Sequence, residues 1–109
     1  MTSGGAADAM QGLRLSQQLS AEEAAGVRAP TNIMGYSDHA LDQIAGRDGG
    51  IGVSQQALED AFSNPNTIEY APSKYGPTFR YAGNNATVVV NPQGKVVTGW
   101  ATGYGGIGR

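Results

Sequence analysis

The spacing of apolar positions changes character near Pro65. Before it, apolar residues recur at helical intervals; after it, they alternate. The clearest helical stretch begins at Ser37, a good N-cap, with Tyr36 and Leu41 placed as a hydrophobic staple. Ala40, Leu41, Ile44 and Ala45 fall on one apolar arc, and Gly46 is a natural stop. A second helix is predicted from Ser54, again an N-cap, with Val53 and Leu58 as its staple. Ala57, Leu58, Ala61 and Phe62 form its apolar face. Asn64-Pro65 ends it, because proline disfavours helical geometry in the residue before it.

Upstream, Leu13 to Val27 is helical in character. Ser20 and Glu23 match a capping box, and Gly26 and Pro30 punctuate the end. Met1 to about Gln11 is small and polar and reads as poorly ordered. Residues 1–30 are therefore expected to be a flexible leader with a short helix.

Downstream, Thr67 to Tyr70, Thr78 to Tyr81, Ala86 to Val90 and Lys95 to Ala101 read as strands. A turn-rich loop from Ala71 to Pro77 separates the first pair. Asn91-Pro92-Gln93-Gly94 has the residue order of a type I turn. The expected fold is α+β: N-terminal helices packed on one face of a four-stranded antiparallel sheet, the other face open. The main domain would cover 31–104, with a glycine-rich tail at 105–109.

Composition narrows the chemistry. The chain has 109 residues, 39% of them hydrophobic, which suits one small domain with a modest core. A net charge of −2 argues against binding nucleic acid by bulk charge, though not against a local basic site. There is no cysteine and one histidine, so thiolate chemistry and a multi-histidine zinc site within the chain are excluded. No apolar run is long enough to span a membrane.

The single histidine, His39, lies on the helix that starts at Ser37. Gln43 follows four residues later and is its neighbour on the helix surface. If the helical period is carried past Gly46, Arg47 falls about 80° around from His39. A proton shuttle, an amide and a fixed cation thus gather along one polar edge. Thr98 and Trp100 share a face of the last strand with Val96 by its two-residue period, while Val97 and Ala101 point the other way. Thr98 can donate a hydrogen bond to a phosphate, Trp100 can stack on a base, and Gly99 between them leaves room for a ligand. Lys74, Arg80 and Lys95 lie among Tyr70, Tyr75, Phe79 and Tyr81, a mixture that suits single-stranded RNA. Gly103 to Gly108 fits a dinucleotide-binding glycine pattern, but no helix follows it within this chain.

An ordered string of blocks carries a family resemblance. Gly35 to Gln43, Arg47-Asp48, Gly52-Val53-Ser54, Asp60 to Pro65 and Ala86 to Thr102 resemble C-terminal toxin domains of bacterial polymorphic toxins. These are the tips of contact-dependent growth inhibition and Rhs-type proteins. The resemblance spans about Pro30 to Thr102. It implies a fold related to barnase, colicins D and E5, and RelE. It implies a metal- and cofactor-independent ribonuclease, often one that cuts transfer RNA. His39, Arg47 and Thr98 would form the catalytic set, with Gln43 and Trp100 as additions. Lys74, Lys95 and Tyr81 join these as substrate-binding candidates. It also implies a cognate immunity protein and a monomeric tip of a secreted or cell-surface effector that acts in the target cell's cytoplasm. No second histidine exists, so the second proton carrier stays open among Lys74, Lys95, a tyrosine and water. Two rivals remain: a non-catalytic RNA- or protein-binding module using the open sheet face, and a nuclease acting on DNA.

Overall fold

The computed structural model describes residues 5–46 and 51–108. Its helices are α1 (Gly5–Ala25), α2 (Asp38–Ala45) and α3 (Gln55–Ser63). Its strands are β1 (Gly35–Tyr36), β2 (Thr67–Ser73), β3 (Gly76–Ala82), β4 (Ala86–Val90) and β5 (Lys95–Ala101). They form one five-stranded sheet in the order β1-β5-β4-β3-β2.

The alternation after Pro65 builds an antiparallel meander from β2 to β5. The expected class, α+β, holds, but four antiparallel strands is corrected to five in a mixed sheet. β1 lies parallel to β5, with Gly35 opposite Lys95 and Tyr36 opposite Val96. Two residues are too few to show a period in sequence. Backbone bonds make this strand: Met34 N–H donates to the Gly94 carbonyl at 2.8 Å, and Ser37 N–H to the Val96 carbonyl at 2.8 Å.

β2 and β3 also run longer than the sequence period indicates. They close on Lys74-Tyr75, so most of the expected loop at 71–77 is ladder. Pro72 and Pro77 face each other there. The ladder tolerates them because β2 is an edge strand and β4 pairs with β3 only from Phe79 onward.

Directly opposed residues on neighbouring strands point to the same side of a sheet. Ile68, Phe79, Tyr81, Val88 and Val90 therefore share one face, and they belong to the core with Leu58 and Ala61 of α3. Leu58, Phe79, Val88, Val90 and Val96 are 0% exposed. Burial of each such side chain is worth about 1.5–3 kcal/mol.

α1 runs through Ser20, so the capping box there is not used. Tertiary anchors hold the turns before it. Arg14 Nη1 donates to the Ser63 carbonyl at 2.6 Å, and Gln17 Oε1 accepts from the Ile68 N–H at 2.8 Å. The second bond caps the free edge of β2. α2 contributes Ala40 to the same core as Leu58 and Ala61 of α3, with Ile44 packed against it. It packs along β5 and seals the opposite edge, as the next subsection details. Of the glycine-rich end, a 3-10 turn at Tyr104–Gly106 and a bridge from Ile107 to Val53 are described. No described helix is long and apolar enough to cross a membrane.

Candidate active site

The site is built on β5. Its register with β4 slips between Val89 and Val90: Val90 lies opposite Val96, and Val89 opposite Thr98. Val97 is the extra residue of a β-bulge. The slip reverses part of the face assignment read from period alone. Val96 turns toward the helices with Val90, while Thr98 and Trp100 share the open face with Val89 and Thr87. Gly99 is likewise corrected. It faces α3, and a Cβ there would lie 2.6 Å from Leu58 Cδ2. Close helix packing, not room for a ligand, requires glycine at this position.

α2 is fastened to β5 at its start and again at Gln43. Ser37 is its N-cap, as expected: Ala40 N–H donates to Ser37 Oγ at 3.1 Å. The same hydroxyl donates to the Val97 carbonyl at 3.1 Å, tying the helix start to the bulge. Gly46 ends the helix in the left-handed region at φ 73°. Between these ends, Gln43 Oε1 accepts from Thr98 Oγ1 at 2.7 Å and from the Gly99 N–H at 3.1 Å. Gln43 and Thr98 are thus brought together across 55 residues of sequence.

His39 is exposed on the first turn of α2, on the side that carries Gln43 four residues later. His39 and Gln43 leave α2 about one helical turn apart. Arg47 lies outside the described residues. Trp100 is on the open face and 41% exposed, free to offer part of its ring. Lys95 is exposed at the start of β5. Lys74 sits in the β2–β3 turn with Nζ 5.2 Å from the Tyr75 ring centroid.

Tyr81 is not with them. It is 4% exposed on the helix-facing side, its ring 4.8 Å from that of Phe62. It lines a cavity of about 790 Å³ between α1 and α3 with Arg14, Ile68 and Tyr36. That cavity holds none of His39, Gln43 or Thr98. A smaller one, about 530 Å³, lies on the open face against Thr78, Val89, Val97 and Thr98. It adjoins the predicted chemistry and is the more relevant of the two.

Arg80, one of the basic residues interleaved with aromatics in the sequence but not among the predicted substrate-binding set, belongs to this face. Arg80 opposes Val89, which opposes Thr98, so a cation stands in the same cross-strand row. Neighbouring strands are about 4.8 Å apart, which puts its backbone roughly 10 Å from that of Thr98. Arg80 Nε is 3.5 Å from Glu69 Oε1 and makes no hydrogen bond. The signal was present in the sequence: Arg80 alternates with Phe79 and Tyr81, so it must face away from the core. Among the described residues, no three His, Cys, Asp or Glu side chains are grouped to hold a metal ion.

No family model matches the chain, and no solved structure is significantly similar to it. The chain is similar to part of tRNA nuclease WapA of Bacillus subtilis (strain 168), being 40% identical over 70 residues. That match takes in 64% of this chain and 3% of the relative, so the chain corresponds to a small fraction of that protein.

Proposed function

We propose that this chain is the ribonuclease module of a bacterial toxin and that it cleaves transfer RNA. The observation that carries this reading is the junction of Gln43 with Thr98, which draws the polar edge of α2 onto the open sheet face. The similarity to a tRNA nuclease supports the substrate class. Arg80 and the exposed Trp100 ring on that face supply a cation and a stacking surface.

The reaction needs a proton carrier and charge stabilisation. A base takes the proton of a ribose 2′-hydroxyl. The O2′–P bond forms, the P–O5′ bond breaks, and an acid returns a proton to the departing 5′-oxygen. The products are a 2′,3′-cyclic phosphate and a 5′-hydroxyl. His39 serves as one of the two proton carriers, worth about 10²–10⁴-fold in rate. Arg47 grips the phosphate with its fixed fork of donors. Nothing in this scheme calls for a metal. In its biological setting the module is the tip of a secreted or surface effector used between competing bacteria, and an immunity protein neutralises it.

The test is incubation of total tRNA with the purified chain in EDTA. Discrete fragments ending in a cyclic phosphate are expected. His39→Ala, with an unchanged circular dichroism spectrum, should lose at least about 10²-fold in cleavage. Full activity in that variant removes the assignment. Cleavage of DNA, which lacks the 2′-hydroxyl, removes the mechanism. Intact RNA that is nonetheless bound favours a non-catalytic module.

A further inference from the structure

We propose that Gln43, not Thr98, donates to the scissile phosphate, and that Thr98 is the positioning residue that aims it. This rests on the nuclease reading above and assigns roles within it.

The orientation of the Gln43 carboxamide is settled by its partners. A backbone N–H only donates, so the atom 3.1 Å from Gly99 N is the carbonyl oxygen. Thr98 Oγ1 lies 2.7 Å from that same oxygen, which has no proton to give. The hydroxyl is therefore the donor, and a threonine hydroxyl has one proton. With that proton committed, Thr98 offers only lone pairs. Phosphate oxygens are acceptors too, so the two have no hydrogen bond to make.

Gln43 Nε2 is the complement. It carries two N–H donors and bonds to no described residue. It is also absent from the buried unpartnered polar atoms of the described residues, which are Arg80 Nε and Tyr81 Oη. Two donors on Oε1 fix the amide plane, and the Ser37 anchor fixes the helix beneath it. A donor held in place before the reaction stabilises developing charge without reorganising. His39 lies one turn earlier on the same side of α2.

Gln43→Glu separates the two roles. It keeps an acceptor for Thr98 and Gly99 and replaces the amide donors with an anionic oxygen. Cleavage should fall about 10²–10³-fold, in kcat more than in KM, with the thermal midpoint unchanged. Thr98→Val removes one neutral hydrogen bond and leaves the Gly99 bond, so its loss should not exceed about tenfold. Thr98→Ser should recover part of that loss. If the glutamate destabilises the fold, a second measurement decides. The Gln43 side-chain amide resonances should shift on titration with uridine 3′-monophosphate. Wild-type cleavage by Gln43→Glu, a Thr98→Val loss as large as that of His39→Ala, or static amide resonances while the His39 ring responds would each overturn the assignment. If the wild-type chain leaves tRNA intact, the nuclease reading falls and takes this one with it. If the wild type cleaves and Gln43→Glu does too, only the role of Gln43 falls.

Discussion

Gly99 serves packing and chemistry at once. Its Cα lies under Leu58 while its N–H holds the Gln43 carbonyl. A methyl group there would sit 2.6 Å from Leu58 Cδ2 and 3.2 Å from the Thr87 carbonyl oxygen. Leu58 is fully buried, so it has little room to yield. Gly99→Ala is expected to lower stability by about 1–3 kcal/mol, the usual cost of overpacking. Denaturant unfolding should show the midpoint fall with an unchanged slope. Cleavage should fall as well, because any movement of β5 at this point displaces Thr98. The glycine is visible in the sequence. Its partner is not, since Leu58 lies 41 positions earlier and only the folded sheet brings it near.

At the scale of elements, the helix that carries His39 depends on its neighbours. α2 has eight residues, too few for an isolated helix to be stable in water. Its hold comes from Ser37 at the bulge and Gln43 further along β5. Gln17 of α1 plays the matching part at the opposite edge, where it caps the Ile68 N–H of β2. Edge groups on both sides of the sheet are thereby occupied, which limits pairing with other chains there. Ser37→Ala removes the N-cap, worth about 0.5–2 kcal/mol, together with the bond to the Val97 carbonyl. Faster hydrogen exchange at Ala40 and a lower thermal midpoint are expected. Cleavage should drop more than stability alone accounts for, because the side chains of α2 lose their reference point on β5.

For the molecule as a whole, two phenols make stability depend on alkaline pH. Burial holds Tyr81 above the ordinary phenol value of 10.0, with Glu22 adding to the effect. Burial also raises Tyr36; a hydrogen bond from Gln55 opposes this, and the nearby Glu59 carboxylate adds to it. A raised phenol keeps its proton in the folded chain after the unfolded chain has lost it. The unfolded state then binds fewer protons, so stability falls as pH rises. The contribution is complete below about pH 10 and is lost progressively above it. Unfolding free energies compared at about pH 9 and about pH 11 should show the decline. Tyr81→Phe should flatten it, and an alkaline absorbance titration should show fewer tyrosines ionising near pH 10 than the five in the chain.

Local chemistry was legible along the chain. Ser37 and Ser54 cap helices, Gly46 stops one, and Asn91 to Gly94 closes a turn, with Gly94 N–H donating to the Asn91 carbonyl at 2.9 Å. Each depends on a few adjacent residues, so a short stretch of sequence contains its whole cause. The alternation after Pro65 likewise determined that strands follow helices. Tertiary structure alone decided the rest. The two-residue strand β1 is too short to have a period, and its pairing comes from β5. The bulge at Val97 turns Val96 away from Thr98, which no reading of alternation anticipates, because a bulge is defined by the partner strand. The direction of the Thr98 hydroxyl was settled by an amide 55 positions away. A single strand carries its own alternation, but which side faces water and which atoms pair depends on what packs against it.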